Sequence, residues 1–279
     1  MEHAAQPGPA ITIEGLAVAF PTPSGNLSAL AALSGTVAAG ELLAVIGPNG
    51  CGKTTLLRAM AGLLAPSAGR IGLGRDGLPP RAGDGRVGLV FQQPRLLGWR
   101  TALENVALPL ELSGTPHTER REAAERALAQ VGLADNSVRD LRPRELSGGM
   151  QQRVALARSL VTDPPILLLD EPFSALDALT REAFDTQLES LWLAQRRTVV
   201  LVTHSVAEAI QLADRIWVMT PRPGSVAADI RVPLARPRPS ALSGDPGLAA
   251  VEAQVRQGLA AVHAPELEGW AEPRREAAA

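Results

Sequence analysis

Tyrosine does not occur in this chain of 279 residues, and aromatic residues together make up only 3% of it. No function follows from that scarcity. Cysteine occurs once, at Cys51, which excludes an intramolecular disulfide and fits a reducing compartment. No apolar run approaches the ~18 residues of a membrane span. The opening residues, Met1-Glu2-His3-Ala4-Ala5-Gln6, have neither a basic region nor an apolar core, so no secretory signal is expected. Excess positive charge is missing as well: a formal net charge of -2 gives no support for nucleic-acid binding. The expectation is a soluble, cytoplasmic protein; if it works at a membrane, another chain does the spanning. What is present is ordinary for a globular chain, with 46% hydrophobic residues and length for one large or two small domains. There is no internal repeat.

The most informative stretch is Gly47-Pro48-Asn49-Gly50-Cys51-Gly52-Lys53-Thr54, which fits the phosphate-loop pattern G-x-x-x-x-G-K-[ST]. The short apolar run Leu42–Ile46 before it reads as a buried strand, and Thr55–Ala61 after it as a helix. The glycines let successive backbone N–H groups turn inward as an anion nest, and the helix N-terminus adds partial positive charge. Lys53 supplies a full charge to the β- and γ-phosphates, and Thr54 a hydroxyl to Mg²⁺. Cys51, beside a helix N-terminus, is either a small filler or a thiol favoured as thiolate, which a maleimide would modify unless ATP protects it.

In chain order, Ala10–Phe20 alternates as a strand and Pro21–Asn26 is a turn cluster. A second strand is expected over Gly35–Ala38, antiparallel to the first because only short turns join them. Pro66-Ser67-Ala68-Gly69 breaks the chain, and Asp76–Gly85 reads as an exposed loop. Val87–Phe91 is a strand ended by Gln92-Gln93. The composition then turns helical. Thr101-Ala102-Leu103-Glu104 is a capping box opening a helix to about Leu112. Thr118–Val131 is a second helix stopped by Gly132, and Gly148–Leu160 a third. This stretch, about residues 93–160, reads as a helical subdomain inserted in a sheet domain. Ile166–Leu169 and Thr198–Val202 are buried strands, ending in Asp170-Glu171 and Thr203-His204. Thr180–Gln195 is a helix, and Ser205–Glu208 starts another to about Ala213. Arg215–Met219 is a short strand. A Pro/Arg-rich stretch from Arg236 leads to a helix over about Gly247–Val262.

Four apolar strands thus end in polar groups: the loop from Gly47, Gln92, Asp170-Glu171 and His204. As neighbours in one parallel sheet they would converge at its carboxyl edge, where α/β sheets bind ligands. Asp170 is placed to hold Mg²⁺, and Glu171 to accept a proton from the attacking water.

Leu146-Ser147-Gly148-Gly149-Met150-Gln151-Gln152-Arg153, lying between the phosphate loop and Asp170, resembles the signature motif of ABC ATPases. The resemblance covers about residues 10–235 and implies an α/β P-loop NTPase (RecA-like) core with an antiparallel β subdomain and an inserted α-helical subdomain. Residues 1–235 would form the ATPase domain, and 236–279 a C-terminal tail with a helix. Gly47, Pro48, Asn49, Gly50, Cys51, Gly52, Lys53, Thr54 and Thr55 then bind nucleotide as Walker A. Gln92 is the Q-loop residue, serving metal and catalysis. Ser147, Gly148, Gly149 and Gln151 form the signature. Asp170 is the metal-linked acid and Glu171 the catalytic glutamate. Ser174-Ala175-Leu176-Asp177 is similar to the D-loop, so Asp177 is placed at the nucleotide. His204 is the switch histidine. Phe20 falls where the family carries an aromatic, often Tyr, that stacks on adenine; Phe keeps the stacking without the hydroxyl.

A narrower similarity lies in Phe91-Gln92-Gln93-Pro94-Arg95-Leu96-Leu97-Gly98-Trp99 and in Val218–Gly224. Both look like stretches of nitrate/sulfonate/taurine-type importer ATPases, with Gly98 replacing their usual Pro and loosening that loop. The implied protein is the ATP-hydrolysing subunit of an importer at the cytoplasmic face of the inner membrane, with ATP and Mg²⁺ as cofactors. Its partners would be a second copy of itself, a permease and, through the permease, a solute-binding protein, with no nucleic acid. Leu96, Leu97 and Trp99 are either core residues or a groove for a permease helix. The alternative is a soluble ABC ATPase of DNA repair or translation. Repair types carry coiled-coil or zinc insertions where this chain has only roughly ninety residues without sustained heptads. Translation types carry two cassettes per chain, and this chain has one. A P-loop kinase would not need Ser147-Gly148-Gly149.

Overall fold

The computed structural model describes residues 7–23, 25–172, 178–236, 238 and 246–268. In chain order the elements are β1 (Ile11–Thr22), β2 (Gly25–Val37), β3 (Leu42–Ile46), α1 (Lys53–Met60), β4 (Ala68–Leu73), β5 (Val87–Val90), α2 (Ala102–Leu112), α3 (His117–Gln130), α4 (Asn136–Arg139), α5 (Gly148–Leu160), β6 (Ile166–Asp170), α6 (Ala178–Gln195), β7 (Thr198–Val202), α7 (Val206–Leu212), β8 (Arg215–Met219), β9 (Val226–Arg231) and α8 (Pro246–Glu268).

The central sheet has the order β5-β6-β7-β3-β8-β9. Its first five strands are parallel, and β9 closes one edge antiparallel to β8. Strands buried on both faces read as unbroken apolar runs rather than alternations, which is why Leu42–Ile46, Ile166–Leu169 and Thr198–Val202 are visible in the sequence. Alternate residues serve two cores. Leu43, Val45, Leu168, Val200, Val202 and Trp217 face α1 and a second sheet. Leu42, Ala44, Ile46, Leu169, Leu201 and Ile216 face the helical side. Each buried Leu, Ile or Val among them contributes about 1.5–3 kcal/mol relative to exposure.

The second sheet, β2-β1-β4, is antiparallel throughout, as the short joining turns predict. Its extent differs from the sequence expectation. β2 runs over thirteen residues from Gly25, not only from Gly35. The Pro21–Asn26 cluster shrinks to a tight turn, with Thr22 opposite Gly25. Β-propensity is poor across Ser28-Ala29-Leu30-Ala31-Ala32; the pairing with β1 and the burial of Leu30 and Leu33 decide instead. For the same reason Ala68–Leu73, which begins inside an expected chain break, is a strand held by β1, and Val226–Arg231 is an edge strand without a sequence signal.

Helices α2, α3 and α5 pack on one another between β5 and β6. Thr101 and Glu104 form the expected reciprocal capping box on α2. The helix after Arg236 also forms, and α8 buries Val251, Val255 and Val262 against the helical-side core. No helix among the described residues is long and apolar enough to cross a membrane.

Candidate nucleotide site

The carboxyl edge of the parallel sheet gathers the four strand-end groups, because β5, β6, β7 and β3 are adjacent in it. β3 runs into the phosphate loop, in which Gly50 and Gly52 hold left-handed backbone at φ 75° and 105°. At Gly52 a Cβ would lie 2.7 Å from Leu30 Cδ2 and 2.9 Å from the Ala29 carbonyl oxygen, so only glycine fits. No side chain caps α1. Its first amides are therefore left for a ligand, and the helix dipole favours an anion there. Lys53 is buried, and its Nζ donates to the carbonyls of Gly47 (2.8 Å) and Pro48 (2.9 Å).

Thr54 and Asp170 meet across β7: Thr54 Oγ1 donates to Asp170 Oδ1 at 3.1 Å. Burial pushes the Asp170 carboxyl above the ordinary carboxylate range, against the Thr54 hydrogen bond that lowers it. Glu171 follows with φ 44°, an unusual backbone for a non-glycine residue, while its N–H donates to Val202 O at 2.9 Å. This extends the β6–β7 pairing one residue and turns the side chain toward two neighbours. Gln92 Nε2 donates to Glu171 Oε2 at 3.0 Å, and His204 Nδ1 lies 3.4 Å from the same oxygen. Thus Gln92, Glu171 and His204 form one constellation and Thr54, Asp170 and Lys53 another at the same edge.

An open depression of about 260 Å³ runs from Lys53, Thr54 and Glu171 to the antiparallel sheet. Phe20, about one-third exposed, lies at one end with Leu27 and Ala29, and Asn49, Lys53, Thr54, Thr55 and Glu171 line the rest. Leu27 and Ala29 carry no sequence signal, because they join the depression only through the long β2.

Two side chains of these motifs contact the protein itself. Cys51 is 1% exposed, and burial raises its thiol pKa although the Lys53 charge lowers it. It is the small filler, not an exposed thiolate, since desolvation outweighs the charge that was expected to activate it. Gln151 donates to the carbonyls of Pro143 (2.9 Å) and Leu146 (3.2 Å), so its amide braces the turn before α5. Asp177 and the rest of Ser174–Asp177 lie outside the described residues.

Ser147 caps α5, accepting from Met150 N at 3.2 Å. The amides of Gly148 and Gly149 are beyond reach of any helical carbonyl. None of these three residues lines the depression around Lys53. The chain therefore holds two separate helix starts with amides that no helical carbonyl reaches.

Sequence reading missed three side chains that hold the Gln92 loop. Gln152 donates to Phe91 O (3.3 Å), and Arg158 to Pro94 O (2.7 Å) and Arg95 O (3.0 Å), so α5 carries that loop on its flank. Asn105, fully buried on α2, accepts from Leu97 N (2.8 Å) and donates to Leu97 O (3.1 Å). A polar residue on an otherwise apolar helix face was the available signal for Asn105. Of the apolar cluster, Leu96 packs against the core while Trp99 is 73% exposed. Trp99 borders an open groove of about 580 Å³ with Leu103, Ala107, Glu111 and Arg120.

A family model described as "ABC transporter" matches residues 30–174. Among similar proteins, the taurine import ATP-binding protein TauB of Roseobacter denitrificans is 45% identical over 226 residues, 81% of this chain and 83% of the relative. The aliphatic sulfonates import ATP-binding protein SsuB 1 of Mesorhizobium japonicum is 47% identical over 234 residues, 82% of this chain and 85% of the relative. Among solved structures, the ATP-binding cassette MJ0796, as a dimer in a post-hydrolysis state bound to ADP and Pi, superposes with a TM-score of 0.72 at 31% identity, covering 81% of this chain and all of that one. Likeness of this degree in sequence and fold settles the family: the chain belongs to the ATP-binding, ATP-hydrolysing subunits of ABC transporters.

Proposed function

We propose that this chain powers an importer of small solutes of the nitrate, sulfonate or taurine class, as a pair of copies bound to a membrane permease at the cytoplasmic face. The observation that carries the reading is the edge cluster, with Thr54–Asp170 and Gln92–Glu171–His204 on adjacent strands. The relatives from Roseobacter and Mesorhizobium are named for import, not for DNA repair or translation. We take residues 1–235 as the ATPase domain, with the helices of about 93–160 presenting the signature, and 236–279 as a tail.

Hard oxygen donors on a buried, hydrogen-bonded carboxylate suit Mg²⁺. Thr54, Asp170 and Gln92 are the residues that would hold it, and it would offset charge on the phosphates. Lys53 and the uncapped amides of α1 bind the phosphates, and Phe20 offers its face to the base. Glu171, fixed by its backbone turn and by Gln92, takes the proton of the attacking water. His204 shares the Glu171 oxygen and can hold that geometry. Because Gln92 belongs to a loop tied to α5 by Gln152 and Arg158, movement at the reacting end is passed to the signature helix and to the groove at Trp99.

The groove suits a helix of the permease, with Trp99 as an aromatic anchor. A solute-binding protein would act through that permease. The test is co-purification of the permease with Trp99→Ala. The variant should keep wild-type melting, since its side chain is 73% exposed, and wild-type MgATP affinity, yet lose most permease association. Unchanged co-purification would remove the groove from the coupling route.

A further inference from the structure

The turn Thr220-Pro221-Arg222-Pro223-Gly224 between β8 and β9, part of the stretch Val218–Gly224 that resembles the importer ATPases, has no role assigned above, yet it lies against the phosphate loop. Gly224 N donates to Ala29 O at 2.9 Å, and Ala31 N to Gly224 O at 3.1 Å, so β2 holds the turn from one side. A Cβ on Gly224 would lie 2.0 Å from the Cys51 carbonyl oxygen, so only glycine permits this approach. Thr220 closes the turn on itself, exchanging bonds with Ser225: its Oγ1 accepts from Ser225 N at 2.9 Å and its N–H donates to Ser225 O at 2.9 Å.

The result is a fixed base for Arg222. Its Nε donates to the Gly50 carbonyl at 3.2 Å. The side chain is exposed and lines the depression shared by Phe20, Lys53, Thr55 and Glu171. Among the described residues no carboxylate stands within ion-pair distance of it, and Gly50 takes only one of its N–H groups. A guanidinium with spare donors and no counter-charge, held at the rim of an anion nest, is arranged for phosphate oxygens. A residue serving only to brace Gly50 would need neither the charge nor the exposure.

We propose that Arg222 is a nucleotide-binding residue, adding a second side-chain cation beside Lys53 for the polyphosphate of ATP. The proposal rests on the assignment of this depression to ATP. The test compares the full chain with Arg222→Gln, Arg222→Lys and Lys53→Ala, titrating MgATP and AMP by calorimetry at low and high salt. Arg222→Gln should weaken MgATP roughly 10- to 150-fold, the range of one charge-assisted hydrogen bond. It should leave AMP nearly unchanged and flatten the salt dependence of MgATP binding. Arg222→Lys, which keeps the charge, should recover most of the affinity. Melting curves establish that each variant is folded. Wild-type MgATP affinity in a folded Arg222→Gln, or equal losses for MgATP and AMP, would overturn the proposal and leave Arg222 a brace of the loop. No MgATP binding by the unaltered chain, with Lys53→Ala indistinguishable from it, would instead overturn the site assignment itself.

Discussion

Glu171 sits at φ 44°, a conformation that costs a non-glycine residue about 1–2 kcal/mol. The pairing of its N–H with Val202 and the Gln92 bond to its carboxylate hold it there. Glu171→Gln should preserve MgATP affinity and lower single-turnover hydrolysis by at least about 10²-fold, the usual share of a positioned base. Near-normal turnover would remove Glu171 from that role. Asp170 carries the opposite kind of cost, a buried carboxylate whose charge the fold disfavours. Its folded-state pKa is raised, chiefly by burial, so the folded chain holds this proton more tightly than the unfolded chain. Stability of the nucleotide-free protein from this group therefore falls as pH rises from the ordinary carboxylate value through the raised one. Asp170→Asn should accordingly melt above the unaltered chain at pH 7. The difference should disappear only as pH falls below the ordinary carboxylate value, where Asp170 is protonated in the folded and the unfolded chain, and Mg²⁺ should no longer add to the stabilisation by ATP. A lower melting temperature for Asp170→Asn at pH 7 would show that the carboxylate is compensated by its neighbours.

Among the elements, the tail segment is fixed by two arginines rather than by a strand or helix. Arg238 is 4% exposed and donates to the carbonyls of Ile210 (2.6 Å) and Ala213 (2.7 Å) at the end of α7, and to Val232 and Leu234 (3.3 Å each) beyond β9. Burial lowers its pKa to about 10, so it stays charged at neutral pH. Arg236 lies over the Trp192 ring of α6 at 4.4 Å and pairs with Glu189 and Asp214. Arg238→Met should leave several buried carbonyls without donors and destabilise the chain by about 2–4 kcal/mol, with α8 released early in limited proteolysis. Melting and proteolysis like those of the unaltered chain would show that α8 docks through Val251 and Val255 alone. The helix after Arg236 was legible, but its anchoring by the arginines was not, since the stretch from Arg236 reads only as Pro/Arg-rich. Legibility followed the source of order. The four parallel strands of the site, the phosphate loop and the capped helices carry their signals locally, as apolar runs, glycine spacing and Ser/Thr–Glu pairs. The extent of β2, the strands β4 and β9, and the burial of Cys51 are set by neighbours distant in sequence. Alanine, serine and glycine acquire strand structure there only because β1 or β8 supplies the ladder. The same holds for Arg222, whose meaning comes from Gly50 across 172 residues.

On the scale of the whole molecule, the two uncommitted helix starts lie apart. Lys53 and the uncapped start of α1 lie in the depression, whereas Ser147 and the free amides of Gly148 and Gly149 open a second helix that does not line it. A single phosphate loop leaves part of the γ-phosphate exposed, and a second helix N-terminus can satisfy those oxygens. Two copies, each lending its signature to the other's loop, would enclose two ATP molecules. Closure would then follow from the higher affinity of ATP for the paired state than for the open one. A mixing experiment tests this division. In Lys53→Ala homodimers both loops are defective, and in Ser147→Arg homodimers both signatures are. A mixed dimer contains one site with both defects and one with neither. Combining the two purified variants with MgATP should restore association on gel filtration that neither shows alone. Turnover can stay low if both sites must fire, so association rather than hydrolysis is the readout. Were Lys53 and Ser147 to act on the same ATP within one chain, no combination would contain an intact site. Two folded variants that remain monomeric when mixed would then refute the shared site.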